Sequence, residues 1–130
     1  VDLQGNPTHL NQDWPINRST PVFLDLCNKE GNQAYLPLIR EVELDIRNQS
    51  STVGHLAYLL ANITPAIGYS QVKPEEIGAV FALSKGVGGL VVNHQGQDLG
   101  EEDFSSERKY QVLAGSKNVV EFIVKKISRL

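Results

Sequence analysis

The sequence predicts an α+β fold, with a mixed sheet of four or five strands packed on one main helix. Three stretches point there. "VFLDLC" (22–27) is rich in strand formers and partly alternating, so it reads as a strand. "VELDIR" (42–47) alternates strictly, with Val42, Leu44 and Ile46 on one face and Glu43, Asp45 and Arg47 on the other. "SSTVGHLAYLLANI" is a helix over 52–63: Ser51 or Thr52 can cap its first amides, and Val53, Leu56, Leu60 and Ile63 recur at helical spacing before Pro65 ends it.

The remaining elements follow in order. Residues 1–20 have no hydrophobic period and read as an extended N-terminal arm with Trp14 tucked against the body; 21–130 form one domain. "NKEGN" (28–32) is turn chemistry, and Pro37 argues against a central strand in "AYLPLI". "VKPEEIGAVFAL" divides between a helix start at Pro74-Glu75-Glu76 and a strand at "AVFAL", and is placed as a strand. "GLVV" (89–92) is a short strand, followed by a turn and a polar loop. "NVVEFIVKKI" (118–127) fits both periods; its β-branched residues favour a strand, with Val120, Phe122 and Val124 inward. The expected core is Val22, Leu24, Val42, Leu44, Ile46, Val53, Leu56, Leu60, Phe81, Val91, Val120, Phe122 and Val124.

Composition narrows the function. With 130 residues, 41% hydrophobic and a net charge of −3, the chain can bury one core and offers no basic field to nucleic acid. No apolar run approaches the roughly 20 residues of a membrane span. Cys27 stands alone, so no intrachain disulfide forms, and the three sequons at Asn17, Asn48 and Asn62 read as accidental; the expected location is cytoplasmic. "SKGVGG" (84–89) is glycine-rich beside a lysine, but no helix start follows it and Lys85 precedes the glycines. It reads as a turn between strands rather than a phosphate loop.

Laid end to end, the pieces resemble the ubiquitin-like β-grasp superfold across roughly 21–127. "VELDIRNQSSTVGHLAYLL" looks like its second strand and capped helix, "VKPEEIGAVFAL" like its turn into the third strand, and "YQVLAGSKNVVEFIVKKI" like its closing passage. The competing architecture is a PAS-like α/β sandwich with a C-terminal helix at 117–130. The resemblance implies a non-enzymatic adaptor or signalling domain whose partner is another protein. The ending "KKISRL" lacks the Gly-Gly tail of conjugated modifiers, and one cysteine cannot hold a ferredoxin cluster. Ras-association and related GTPase-binding modules remain, although Glu41, Glu43 and Asp45 oppose an acidic GTPase edge.

A partner would meet the open face of such a sheet: Glu43, Asp45, Arg47, Val119, Glu121, Ile123 and Lys125, with Val119 and Ile123 as an apolar spot rimmed by charge. The enzymatic alternative is a small hydrolase or transferase pairing Cys27 with His55. No cofactor is called for. His9, Cys27, His55 and His94 show no metal-ligand spacing, and the acidic run Glu101, Glu102, Asp103 is consecutive where calcium loops alternate.

Overall fold

A computed structural model describes residues 9–26, 29–41, 43–48, 51–99 and 110–128. The elements in order are β1 Pro21–Leu24, α1 Lys29–Ala34, α2 Leu36–Glu41, β2 Asp45–Arg47 and α3 Thr52–Leu60. There follow β3 Ala66–Val72, α4 Pro74–Gly86, β4 Leu90–Val92, β5 Tyr110–Gly115 and α5 Lys117–Ile127. The five strands make one mixed sheet in the order β2-β1-β3-β5-β4. β1 pairs in parallel with β2 and β3, while β5 runs antiparallel to β3 and β4. The fold class is therefore α+β with a mixed sheet, as expected.

Helices cover both faces of this sheet, and the strands alternate between two cores. Phe23, Ile67, Tyr69, Val91 and Val112 turn to one face, where Leu56 and Leu59 of α3 and Ile77 and Val80 of α4 pack on them. Val22, Leu24, Ala66, Val92 and Leu113 turn to the other, against Tyr35, Leu38, Val119, Val120, Ile123 and Ile127. A sheet buried on both sides has no polar face, so its strands lose the period-2 signal. Of Ala66–Val72, only Gln71 is even partly exposed.

That double burial explains the differences from the expected elements. β3 and β5 carry no strand signal in the sequence because small and polar residues such as Gly68, Ser70 and Gly115 break their texture; both are buried strands at or beside the centre. "VKPEEIGAVFAL" is the helix α4, with Pro74 at its first position and Glu75 and Glu76 in the first turn, where they suit the helix dipole. Pro37 sits at the second residue of α2, where a missing N–H costs nothing. The C-terminal segment is the helix α5 rather than a strand. Val119, Val120, Ile123 and Ile127 are all buried on one side of it, so tertiary packing overrides β-branched propensity. "SKGVGG" is a turn, but it joins a helix to a strand: α4 ends at Gly86, and Gly88 takes φ +82 before β4 begins.

Of the expected core, Val22, Leu24, Leu44, Leu56, Val91 and Val120 are buried; Ile46, Leu60, Phe81, Phe122 and Val124 are partly so. Val53 is 77% exposed, and Val42 lies outside the described residues. Leu10 is buried and its N–H donates to Val87 O at 2.8 Å, and Trp14 packs partly buried on the second core. No helix of the described residues is long and apolar enough to cross a membrane.

Candidate functional site

Strands β2, β1 and β3 run parallel, so their carboxyl ends open at one edge of the sheet. There the chain leaves β1 toward α1 and α2 on one face and leaves β3 toward α4 on the other. Neighbouring strands that send their connections to opposite faces leave a crevice between them, the usual place for a ligand in open α/β sheets. The residues at this edge are Asp25 after β1, the first turn of α3, Tyr69 on β3 and the first turn of α4.

Each is held by local chemistry. The Asp25 backbone N–H donates to Gly68 O at 2.9 Å, which carries the β1–β3 ladder one residue past the strand. Ser51 Oγ accepts from Gly54 N at 3.0 Å and caps α3. Tyr69 Oη donates to Thr52 O at 3.2 Å and ties that first turn to β3. The Glu76 N–H donates to Lys73 O at 3.0 Å as α4 begins.

The electrostatics show which groups share the space. Burial lifts the Tyr69 hydroxyl above its ordinary pKa, and the Asp25 and Glu76 carboxylates add to the rise. Burial likewise raises Tyr35, helped by Asp25 and then Tyr69. His55 is lowered by burial, with Asp25 opposing. Its ring stacks on Tyr69 at 5.6 Å and tilts against Phe23 at 5.3 Å. Asp25 thus acts electrostatically on Tyr35, Tyr69 and His55 at once.

A second buried pair supports this cluster from beneath. Tyr35 Oη and His94 Nε2 lie 2.8 Å apart, and burial lowers His94 to about 4 against the opposing hydrogen bond to the Tyr69 backbone. Gly68 makes the crossing possible: a Cβ there would meet Leu113 and Leu24 at 2.7 Å and Tyr35 Oη at 2.8 Å.

A pH dependence follows. With its folded pKa near 4 and an ordinary value of 6.5, His94 adds stability that is fully present above pH 6.5 and is lost as pH falls toward 4. Between pH 7 and 5 that loss should be about 2 kcal/mol. Urea unfolding at the two pH values measures it, and His94→Gln should shrink the difference. An undiminished difference in the variant would assign it to other groups.

The residues named from sequence are not brought together here. Val119 and Ile123 are buried inside α5, whereas Glu121 and Lys125 lie exposed on its outer side. Asp45 and Arg47 pair with each other at 2.7 Å, and Glu43 accepts from Lys126 Nζ at 2.6 Å, with Glu41 on the same ammonium. No open sheet face carrying these seven residues exists, because the strand that would supply Val119–Lys125 is a helix over the second core. His55 is buried in α3; Cys27, its expected partner, and the acidic run at 101–103 lie outside the described residues. Among the described residues no group of three or more His, Cys, Asp or Glu could hold a metal ion.

Asp25, Tyr69 and Glu76 were missed. Their signal was present: an acid closing the apolar run "VFLD", and two acids opening a helix directly after a strand end.

Solved structures share this architecture. The extragenic suppressor protein SuhB from Bartonella henselae superposes with a TM-score of 0.74 at 17% identity, over 94% of this chain and 46% of its own. A hypothetical Pyrococcus horikoshii protein with similarities to inositol-1 monophosphatase gives 0.70 at 20% identity, over 95% and 47%. An inositol monophosphatase II from Staphylococcus aureus, solved with inositol monophosphate bound, gives 0.74 at 12%, over 96% and 48%. This chain therefore spans about half the length of the structures it matches. No family model and no curated protein matches the sequence.

These matches correct the ubiquitin-like resemblance. The fold is that found in inositol monophosphatases and SuhB, and the reading as a non-enzymatic adaptor or signalling domain loses the resemblance it rested on.

Proposed function

We propose that the crevice at the carboxyl ends of β1 and β3 is one half of a phosphatase-like centre acting on phosphate monoesters of a polyol or a ribose. The observation that carries this reading is the hydrogen bond that ties Tyr69 to the first turn of α3, with the Asp25 and Glu76 carboxylates acting electrostatically on the same hydroxyl. It is supported by the shared fold and by the S. aureus protein's structures with inositol monophosphate and with 2′-AMP bound.

The chemistry suits the residues. First-turn amides of α3 donate to phosphate oxygens, where the helix dipole also favours the anion. A carboxylate at the crevice accepts the proton of the attacking water as the P–O ester bond breaks, and the departing alkoxide takes a proton from solvent to leave as the alcohol. We assign that role to Glu76, exposed at the start of α4, and the floor of the site to Asp25, which acts electrostatically on Tyr35, His55 and Tyr69.

Phosphate release from inositol monophosphate and from 2′-AMP tests it, using the protein purified from its own cells. Glu76→Gln should lower kcat/KM about 100-fold with the melting temperature unchanged. No release from either ester, or equal release by the variant, would overturn the reading.

A further inference from the structure

A chain of hydrogen bonds crosses the domain beneath the crevice and ends on the first turn of α3. It starts at Tyr35, fully buried where α1 meets α2, whose Oη lies 2.8 Å from His94 Nε2. Burial lowers the His94 pKa, but its hydrogen bond to the Tyr69 backbone works the other way. A bond that favours the protonated ring is one the ring donates, so the Tyr69 carbonyl accepts it. A neutral imidazole that donates from one nitrogen accepts at the other, so the Tyr35 hydroxyl donates to Nε2. Tyr69 Oη in turn donates to Thr52 O at 3.2 Å. The links are held by their own surroundings. Asn93 builds the turn that carries His94: its Oδ1 accepts from Gln95 N and Gln97 N, both at 2.9 Å, and its N–H donates to Gln97 O at 2.9 Å. Tyr69 lies at a slip in the sheet, where it pairs with Val112 but Val72 pairs with Tyr110, so β3 has one residue more than β5. Such a bulge interrupts the ladder and re-aims the strand.

We infer that Tyr35 and His94 are positioning residues: through Tyr69 they fix the peptide plane at the start of α3 whose N–H binds a phosphate oxygen. Thr52 C=O and Val53 N–H belong to one peptide plane, so the hydroxyl that holds the carbonyl also sets the direction of the amide. Ser51 Oγ already accepts from Gly54 N, which leaves Val53 N–H as a first-turn donor with no partner inside the helix. A buried hydrogen-bonded pair adds little stability over an apolar pair of the same shape, yet it fixes direction and distance. That is what an anion site built from backbone amides requires. This inference deepens the phosphatase reading and rests on it for the identity of the anion.

The test uses the full protein, isotope-labelled and purified from its own cells with any chain that accompanies it. Tyr35→Phe removes one oxygen and with it the first link. His94→Gln keeps a donor and an acceptor at similar reach, whereas His94→Asn is too short to span both partners. In Tyr35→Phe and His94→Asn the Val53 amide resonance should move, and KM for 2′-AMP should rise about tenfold with kcat within about twofold of wild type. The inhibition constant of inorganic phosphate should rise by the same factor. His94→Gln should stay near wild type in all three measurements. A merely structural role would lower the folded fraction, and kcat with it, at constant KM. That result, an unmoved Val53 resonance, or a His94→Gln protein behaving like His94→Asn would overturn the inference. If Tyr35→Phe does not fold, the two His94 variants decide alone. A moved resonance in a protein whose wild type releases no phosphate leaves the positioning standing and refutes the phosphatase reading; release with an unmoved resonance does the reverse.

Discussion

Ile123→Asp is expected to abolish folding. Ile123 is fully buried in α5, against the strand residues Val22, Leu24, Val92 and Leu113 of the second core. An unpaired carboxylate there costs several kcal/mol, and the lost isoleucine packing adds to it, against a total stability of about 5–15 kcal/mol. Lys125→Asp, two residues away on the exposed side, should stay within about 0.5 kcal/mol of wild type. Urea unfolding followed by circular dichroism compares the two. A sheet with Ile123 on its open face demands the opposite result, a folded variant altered only in binding.

Gly115→Ala is expected to be nearly as severe. Gly115 closes β5 at φ +147, a conformation side chains rarely adopt, and pairs with Ala66 at the start of β3. A Cβ there would lie 2.0 Å from Pro65 O and 2.7 Å from Ala66 Cα, and both are backbone atoms that cannot swing aside. The strands would have to separate where Ser116 N donates to Pro65 O at 2.7 Å. A loss of about 4 kcal/mol is expected, in the range reserved for strained backbone and overpacking. Gly78→Ala is the contrasting variant. Apart from its chain neighbours and the backbone of its own helix, no described atom lies within 4 Å of its added Cβ, so it should gain up to about 1 kcal/mol of helix propensity in α4. Thermal melts of the two variants should shift in opposite directions.

Elements that follow one period were legible in the sequence. The capped α3, the strand ending in "DIR", and β1 were all recognisable, because each shows one clear pattern next to a turn. The fold class followed from them. What was not legible shares one cause, burial on both sides of a sheet. β3 and β5 present hydrophobic, small and hydroxyl residues to two cores at once, so "AIGYSQV" and "YQVLAG" have no alternation to read. "AVFAL" and "NVVEFIVKKI" read as strands on their β-branched and aromatic texture alone. The helical spacing of Val119, Val120, Ile123 and Ile127 was visible, but β-branched propensity outweighed it.

The site was hidden for a different reason. Asp25, Tyr69 and Glu76 lie 44 and 7 residues apart in the chain and meet only because β1 and β3 are parallel neighbours. Their only local signs are the acid that closes "VFLD" and the two acids that open α4. Cys27 and His55 drew attention as a thiol and an imidazole at neighbouring element ends, and His55 is a buried ring packed between Phe23 and Tyr69.

The crevice requires a sheet covered on both faces, with α4 leading into it and α5 closing the second core. Backbone Cα and Cβ chemical shifts across Pro74–Gly86 and Lys117–Ile127 test that arrangement most directly. The account predicts continuous helical shifts through both segments, and extended shifts through Ala66–Val72 and Tyr110–Gly115. Extended shifts across Lys117–Ile127 would contradict it, because the second core would then have lost its covering helix.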